Sequence, residues 1–495
     1  MRVSASHDLR TLVASYHPVI VMETVEEERA RRLLRETAAE MGLPFFEWTV
    51  TRGLRRPPNQ SMIHGTNDPQ VMLRHLESLT IEAVYMLKDL GGHLSNPQIA
   101  RQFRELCQKF AQTRSALVLT GADVDLPSGV RHKAVYYSLQ LPSREELKEV
   151  METALSSLRR KRTFDVDLRP GDLGRFISAL RGMTLNQARQ AVAYAVLEDG
   201  RLDAQDVRRV QERKAQMIRD GGILEFFPAE DNQAELGGFA NLQDWLKRAQ
   251  IGFSPRAQEL NLRAPKGILI VGVQGCGKSL AAKVIARRWQ MPLLKLDAGS
   301  LYDKYVGESE KNFRRAVSMA ESMAPAVMWI DEIEKAFGPA GSSDQDGGLS
   351  RRLLGAFLTW LQEKSAEVFV VATANDLGVL PPEMMRKGRF DEIFFVDLPV
   401  PQDRRRIFEI HLGLRNQEPA RFDLDELARA SEGFSGAEIE QAVIAAAYRS
   451  LHQGSPLSTA LILGEISDTV PLSVSRREDI ERLRSTARNR FVNAA

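Results

Sequence analysis

The sequence predicts an α/β protein in which two related modules follow one another, each a parallel sheet with flanking helices and a small helical part behind it. Three observations support this prediction. Short apolar strands alternate with helical stretches in both halves, the same order of strings occurs twice, and a glycine-rich loop stands between strand and helix in the second half. The 495 residues leave room for roughly three folding units of about 150 residues each.

Composition is typical of a globular protein without a membrane span. Hydrophobic residues make up 43% and charged residues 27% of the chain, and neither an apolar run of about 18 residues nor a signal-peptide pattern occurs. We therefore expect a cytoplasmic location, or the plastid stroma if the source is an alga. The balance of 67 Lys and Arg against 65 Asp and Glu disfavours a nucleic acid partner, because such a partner needs a basic face. Cys107 and Cys276 lack the paired spacing of a metal site.

The first half carries four apolar segments of strand length, at 19–22, 43–48, 83–87 and 115–120. A helical segment at 26–41 follows the first of them. Strands separated by helices imply crossover connections, and these connections place the strands parallel. The first half is thus expected to form a parallel sheet with helices on both faces.

The order of strings in the first half is repeated in the second half. Residues 20–23 and 41–46 align with 268–271 and 289–294 without a gap, 139–142 align with 396–399, and 173–192 align with 424–443. Two α/β domains can share strand strings by chance, but this many pairs in one order indicate an internal repeat. Glycine, proline and charge between the two halves suit a linker. We expect modules at 1–218 and 236–495, a linker at 219–235, and a division of the second module at 402/403.

A phosphate-binding loop is the motif around which the second module is organised. An apolar strand at 268–271 precedes it and a helical segment follows it, as this motif requires. Glycines allow successive backbone N–H groups to face one anion, Lys278 would reach the β- and γ-phosphates, and the Ser279 hydroxyl would ligate Mg²⁺. The predicted nucleotide-binding residues are Gly272, Val273, Gln274, Gly275, Cys276, Gly277, Lys278, Ser279 and Leu280.

Two further strands end in polar residues that suit ATP hydrolysis. The strand at 326–330 ends in Asp331 and Glu332, which would hold Mg²⁺ and polarise the attacking water. The strand at 370–374 ends in Asn375, which would orient water near the γ-phosphate. The pair of carboxylates would otherwise be an acidic strand end at the surface, and Asn375 would be a turn residue. The phosphate loop upstream favours the catalytic interpretation.

The first module lacks these groups at the aligned positions. Its counterpart of the phosphate loop, residues 24–31, has no glycine and no loop lysine, and it carries the three carboxylates of Glu26 to Glu28. Lys88 aligns with Asp331 and would repel a cation, and Ala122 aligns with Asn375. We therefore expect no nucleotide site in this module. It would serve as a scaffold or docking surface, or alternatively present Glu26 to Glu28 to a neighbouring molecule.

Together these motifs make the second module resemble the AAA family of the AAA+ ATPases over residues 236–450. The resemblance includes Leu236-Gly237-Gly238-Phe239, the phosphate loop, the carboxylate strand, residues 302–312, Asn375 and residues 385–391. It implies ATP and Mg²⁺ as cofactors, and a helical lid followed by C-terminal helices over 403–495. It also implies a ring-like homo-oligomer, with six chains as the expected number. The whole chain is similar to divergent AAA proteins of algal plastids, cyanobacteria and other bacteria.

The resemblance also assigns roles outside the phosphate loop. Tyr305, Val306 and Gly307 would form a pore loop that grips an extended polypeptide, although Tyr305 could instead pack in a core. Gly436 and Ala437 would lie beside the nucleotide at the start of the last lid helix. Arg389 would be an arginine finger that completes the site of the neighbouring subunit. Family members commonly carry a second arginine three residues further on, where this chain has Glu392.

These features predict an oligomeric, Mg²⁺-dependent ATPase that remodels a protein substrate, with Glu332, Asn375 and Arg389 as its catalytic residues. The alternative is a regulatory or partner-docking scaffold that ATP switches without threading a substrate. A nucleic-acid motor is a third class, which the balanced charge disfavours. Cys276 is also expected to gain thiolate character from Lys278 and the helix N-terminus beside it.

Overall fold

A computed structural model describes residues 5–495 except 59–60, 123, 161, 221, 229–234, 298, 302–307, 338–346, 377, 387 and 489. The chain divides into two compact units. The first contains residues up to 162 together with 183–193, and the second contains residues 163–182 together with 194–495. Within the described residues, none of the helices has the length and apolar character needed to cross a bilayer.

The first unit is built on a sheet of six strands in its described part. The four inner strands are apolar and almost wholly buried, as expected for a parallel sheet covered on both faces. They follow the order β3-β2-β4-β5-β1-β6, with β3 antiparallel to β2 and the other pairs parallel. The strands are β1 (Val19–Glu23), β2 (Phe45–Thr49), β3 (Gly53–Arg55), β4 (Val84–Lys88), β5 (Ala116–Gly121) and β6 (Ala134–Tyr136).

Helices cover both faces of this sheet, and each face has its own apolar core. Leu34 and Ala38 pack in the core on one face, and Phe103 and Leu106 pack in the core on the other. Several of these helices begin at a side-chain cap, such as Asp68 or Ser143. The helices are α1 (Ala5–Ala14), α2 (Glu27–Glu40), α3 (Pro69–Ser78), α4 (Pro97–Phe110), α5 (Ser128–Arg131) and α6 (Arg144–Arg159).

Residues 163–227 supply three helices and three short strands. The first unit takes residues 183–193 from the middle of this stretch, and the second unit takes the rest. The helices are α7 (Pro170–Leu180), α8 (Leu185–Asp199) and α9 (Asp206–Asp220), and the strands are β7 (Asp165–Val166), β8 (Arg201–Leu202) and β9 (Leu224–Phe227). Strand β9 lies within the stretch 219–235 that was expected to be a linker. It joins the second sheet because its apolar residues Leu224 and Phe226 are buried in the core of that sheet.

The second unit contains a sheet of seven strands in its described part. Their order is β15-β14-β10-β13-β12-β11-β9, with β9 antiparallel to β11 and the other pairs parallel. The last strand adds the C-terminal residues to the edge of the sheet. The strands after β9 are β10 (Gly267–Gly272), β11 (Leu293–Leu296), β12 (Ala326–Ile330), β13 (Val368–Ala374), β14 (Glu392–Val396) and β15 (Val492–Asn493).

Helices flank this sheet and pack against one apolar core on each face. The first set is α10 (Ala240–Ala249), α11 (Pro255–Glu259), α12 (Lys278–Trp289), α13 (Glu308–Ser322), α14 (Ile333–Phe337) and α15 (Gly347–Glu363). Four further helices form a lid with its own core, and they are α16 (Pro401–Gly413), α17 (Leu424–Ala430), α18 (Gly436–Gln453) and α19 (Thr459–Asp468). Two last helices, α20 (Leu472–Ser475) and α21 (Arg477–Ala487), lead to β15.

The two sheets confirm the predicted internal repeat. In the first sheet β1 lies between β5 and β6, and in the second sheet β10 lies between β13 and β14 in the same way. Each sheet also carries an antiparallel strand, β3 beside β2 and β9 beside β11. The pairing registers agree with the sequence alignment residue by residue. Equivalent partners are Val21–Leu119 and Leu87–Leu119 in the first sheet, and Leu269–Ala372 and Ile330–Ala372 in the second. Lys88 and Asp331 therefore occupy the same position, one residue further along their strands.

Candidate nucleotide site

The candidate site lies where the carboxyl ends of β10, β12 and β13 meet at one edge of the second sheet. Parallel strands bring their carboxyl ends to the same edge, so the polar residues that follow them converge. A cavity of about 920 Å³ opens there, between the sheet and the lid. Its lining includes the predicted residues Gln274, Gly275, Cys276, Gly277, Lys278, Ser279, Leu280, Asp331, Glu332, Asn375, Gly436 and Ala437.

The phosphate loop is a tight turn between β10 and α12. Gly277 precedes the first turn of α12 with φ of 85°, a left-handed conformation that favours glycine. At Gly272 a Cβ atom would lie 1.9 Å from the Val396 carbonyl oxygen, so only glycine fits there. Val273 belongs to the loop through its backbone, whereas its side chain packs in the core. This geometry brings the loop backbone and the helix N-terminus to one side of the cavity.

Lys278 is buried beneath this loop with its ammonium group directed at backbone oxygens. Its Nζ donates to the carbonyl oxygens of Gly272 and Val273, each at 2.8 Å. Burial lowers the pKa of Lys278 to about 8, although neighbouring acidic groups oppose the shift. A phosphate group could replace these neutral acceptors and would stabilise the charged form much more strongly.

Ser279 and Asp331 are brought together by the loop and β12. The Ser279 Oγ donates to Asp331 Oδ1 at 2.8 Å, and Thr373 Oγ1 donates to the same oxygen at 2.6 Å. A hydroxyl and a carboxylate at this distance are hard oxygen donors, which suit Mg²⁺. The residues present therefore fit a magnesium ion bound between loop and strand, with phosphate oxygens as its remaining partners.

Glu332 faces the cavity from a strained backbone position. Its φ is 49°, in the left-handed region that glutamate rarely adopts. Asn375 Nδ2 donates to its Oε1 at 3.0 Å, Lys335 forms an ion pair with its Oε2, and its backbone N donates to Thr373 Oγ1 at 3.0 Å. The backbone conformation and these bonds hold the carboxylate at the mouth of the cavity.

Glu334 is a second carboxylate near the site. Its Oε1 accepts from Asn375 N at 2.9 Å, and its Oε2 is buried without a hydrogen-bond partner among the described residues. Burial raises the pKa of Glu334, with a smaller contribution from the charge of Glu332. The hydrogen bond to the Asn375 backbone places the end of β13 beside Glu332.

Cys276 corrects one prediction. It is 7% exposed, and burial raises the pKa of its thiol to about 12 in spite of the nearby charge of Lys278. The expected thiolate character is therefore wrong, because desolvation of the thiol outweighs attraction by Lys278.

The lid closes the other side of the cavity through the first turn of α18. Ser435 and Glu438 form a capping box there, and Ala437 N donates to the Gly275 carbonyl oxygen at 2.9 Å. Gly436 and Ala437 thus contact the phosphate loop, but they begin the third of the four lid helices and not, as was expected, the last. Apolar side chains also line the cavity, among them Leu236 and Phe239 beside Gly277 and Ile407, Ile410 and Leu414 from the lid. Such a wall suits a flat nucleobase.

Arg389 does not line this cavity. It lies before β14, at the edge of the sheet opposite the phosphate loop. Strand β10 runs from that edge to Gly272, a span of about 17 Å for five steps of about 3.3 Å. The Arg389 side chain is half-buried and has no hydrogen-bond or ion-pair partner among the described residues. Tyr305, Val306 and Gly307 of the predicted pore loop lie outside the described residues.

In the equivalent region of the first unit, side chains form ion pairs with one another and fill the space, and we call this the sealed region. Lys88 pairs with Glu27 at 3.0 Å. Arg29, which stands where Gly277 stands in the second unit, pairs with Glu26 at 3.3 Å and with Glu146 at 2.9 Å. Glu26 also accepts from Leu185 N at 2.7 Å, at the start of α8. The region thus contains side chains where the second unit has its cavity.

The suggestion that Glu26 to Glu28 face a neighbouring molecule does not fit Glu26, and it stays a hypothesis for the exposed Glu27 and Glu28. Glu26 is largely buried, and each of the three carboxylates has a basic partner in the same unit. The partner of Glu28 is Arg31 at 2.9 Å. The negative charges that the sequence places in a row are therefore balanced locally.

Sequence reasoning missed three residues of the site. Thr373 links Asp331 to Glu332, Lys335 pairs with Glu332, and Glu334 fixes the end of β13. Glu334 could have been found from its position, because only Ile333 separates it from Glu332. Thr373 could have been found from its position at the end of an otherwise apolar strand.

Comparison with known proteins agrees with this arrangement. Residues 268–398 match the family described as ATPase family associated with various cellular activities (AAA), and residues 421–460 match the AAA+ lid domain. Residues 5–139 and 145–221 match the N-terminal and second domains of SpoVK-like AAA ATPases.

Several relatives match almost the whole chain. The uncharacterised AAA domain-containing protein ycf46 of Trieres chinensis is 34% identical over 99% of this chain and 97% of its own length. The protein of the same name from Pyropia yezoensis is 34% identical over 97% of each chain. The proteasome-activating nucleotidase of Aeropyrum pernix is 33% identical over 41% of this chain and 50% of its own length.

Proposed function

Because this chain belongs to the AAA family of ATPases, we propose that it is an oligomeric, Mg²⁺-dependent ATPase that remodels a protein substrate. The observation that carries the proposal is the convergence of Lys278, Ser279, Asp331, Glu332 and Asn375 on one cavity. The cavity offers charged groups for phosphates and apolar side chains for a base.

In this proposal each group has one task. Lys278 and the loop backbone bind the β- and γ-phosphates, and Ser279 and Asp331 hold the magnesium ion. The ion would neutralise phosphate charge as the γ-phosphoryl group leaves. Glu332 accepts a proton from the attacking water, and Asn375 orients that water through its amide.

Arg389 supplies the remaining positive charge to a neighbouring chain. Its distance from the phosphate loop of its own chain supports this assignment, because about 17 Å of strand separates them. Arginine fingers contribute roughly 10³ to 10⁵ in turnover in related phosphoryl transfers. The same proposal includes the two modules at 1–218 and 236–495 and a pore loop at Tyr305.

The trans assignment can be tested directly. Arg389→Ala should retain ATP affinity within a few-fold and lose most turnover, whereas Lys278→Ala should lose ATP binding. Mixing the two variants should restore some activity, because each supplies the group that the other lacks. Turnover per chain of the wild type should rise with protein concentration. Hydrolysis that is independent of concentration, with Arg389→Ala as fast as the wild type, would rule out the shared site.

A scaffold that ATP switches without threading remains the competing proposal, and the sealed region of the first unit favours it in part. That unit contributes surface without nucleotide chemistry, as a docking module would. Tyr305→Ala separates the two proposals. A remodeller should lose the ATP-dependent unfolding of a tagged model protein while it keeps basal hydrolysis, and a scaffold should keep partner binding unchanged.

Glu332→Gln with ATP should trap whichever protein is bound, for identification by mass spectrometry.

A further inference from the structure

The segment that carries Arg389 is tied to the start of β10. Asp391 Oδ2 accepts from the backbone N of Lys266 at 2.5 Å and of Gly267 at 2.8 Å, and Asp391 N donates to the Gly267 carbonyl oxygen at 2.9 Å. The Lys266 Nζ donates to the Gly388 carbonyl oxygen at 2.9 Å. Four hydrogen bonds therefore join residues 388–391 to residues 266 and 267.

Arg389 itself lies between the anchored positions. Gly388, on one side, has φ of 94° and offers its carbonyl oxygen to Lys266. Phe390, on the other side, is 5% exposed and packs in the core, with its ring centroid 6.5 Å from that of Phe357. Two neighbours that are fixed in this way hold the backbone of Arg389 in place.

Among the described residues, Lys266 makes no side-chain hydrogen bond or ion pair other than the one to Gly388. It precedes β10, is half-buried, and its Nζ has Gly388 O as its hydrogen-bond acceptor among the described residues. A charged donor on a backbone oxygen is a strong hydrogen bond, and its loss would release one end of the segment.

We propose that Lys266 is a positioning residue that holds Arg389 in place for the neighbouring subunit. The inference rests on the proposed function, because it requires Arg389 to act in trans. It assigns to Lys266 an effect on the active site of another chain, although the residue immediately precedes the strand that leads to the phosphate loop of its own chain.

A mixture of two chain types isolates this effect. One chain carries Arg389→Ala and keeps an intact nucleotide site. The other carries Lys278→Ala, so that its own site is inactive and its Arg389 serves the first chain. All rescued turnover then arises at sites completed by the second chain. Adding Lys266→Met to the second chain should lower that rescued turnover about tenfold, as expected for the loss of one charged hydrogen bond, and Lys266→Arg should lower it much less.

The controls separate positioning from folding. Lys247→Met in the second chain changes an exposed lysine that pairs with Asp244, and it should leave rescued turnover unchanged. The single variant Lys266→Met should bind ATP within about twofold of the wild type and assemble normally by sedimentation. Its turnover defect should also add little to that of Arg389→Ala, because both changes disable the same contact.

The outcomes distinguish this inference from the proposed function. If Arg389→Ala alone hydrolyses ATP like the wild type, the proposed shared site is wrong. If Arg389→Ala is impaired but Lys266→Met in the second chain gives full rescue, the shared site stands and the role of Lys266 is wrong. A multiplicative defect in the double variant Lys266→Met/Arg389→Ala would also overturn the role of Lys266.

Discussion

Lys278 keeps a titratable amine in a largely buried position, and this has a consequence for pH. Its pKa is lowered to about 8 by burial, so the unfolded chain holds this proton more tightly than the folded one. The cost of the buried charge is fully present below pH 8. The free energy of unfolding should therefore gain a contribution from this group as pH rises from about 8 towards the usual lysine range.

ATP should reverse this balance, because phosphates stabilise the charged amine. We expect Lys278 to take up protons when ATP binds at pH 8.5. At pH 6.5 Lys278 is already charged, so it should take up few protons when ATP binds. Calorimetry in two buffers with different ionisation enthalpies measures the uptake at each pH. Equal heats in the two buffers at pH 8.5 would contradict the assignment of Lys278 to the phosphates.

Cys276 should be slow to react although it lies in the phosphate loop. Burial raises the pKa of both thiols, Cys107 and Cys276, to about 12, so the thiolate is scarce at neutral pH. We expect little alkylation of either cysteine at pH 7.5 in the folded protein and rapid alkylation of both in urea, measured by peptide mass spectrometry. Rapid modification of Cys276 in the folded protein would show that the loop opens.

Among the structural elements, α2 shows how the first unit compensates for the absence of a nucleotide. Its first turn carries Arg29, whose side chain is 10% exposed and paired with both Glu26 and Glu146. Truncation would leave the two carboxylates without their shared partner. Arg29→Ala should therefore destabilise the first unit by about 2 kcal/mol.

Arg31→Ala is the matched control in the same helix. Its pair with Glu28 is exposed, and such pairs contribute at most about 1 kcal/mol. Hydrogen exchange of peptides from β1 and α2 should become faster in Arg29→Ala and stay nearly unchanged in Arg31→Ala. Equal exchange in the two variants would mean that the Arg29 cluster does not hold the unit together.

The sequence predicted where the strands lie better than it predicted which segments they pair with. The apolar strands and the gapless alignment of 20–23 with 268–271 were recognisable because strands buried on both faces are nearly continuous apolar runs. The strand order of each sheet came from the structure. The edge strand β9 was expected to be linker. Its four residues are too short to show a period, and their pairing with β11 depends on a distant segment.

The site was predictable where the residues follow a strand end. Ser279, Asp331 and Asn375 lie at the edge that parallel topology dictates. The thiol of Cys276 was mispredicted, since its pKa depends on how deeply the lid and loop bury it, which no local pattern shows. The partners Thr373 and Lys335 were missed for a similar reason, because each acts through a contact that the fold creates.

The whole molecule should bind one ATP per chain. The second unit has a cavity at its phosphate loop, and the first has Arg29 and its partners at the equivalent position. Titration calorimetry should give a stoichiometry of one for the wild type and none for Lys278→Ala. Two sites per chain, or binding that survives Lys278→Ala, would contradict the sealed first unit.

The pair of Lys88 and Glu27 makes a nucleotide site hard to engineer into the first module. Replacing Lys88 with aspartate alone would set two carboxylates against each other, and replacing Glu27 alone would leave a largely buried ammonium without its partner. Either single change would therefore give a less stable protein, and both positions would have to change together.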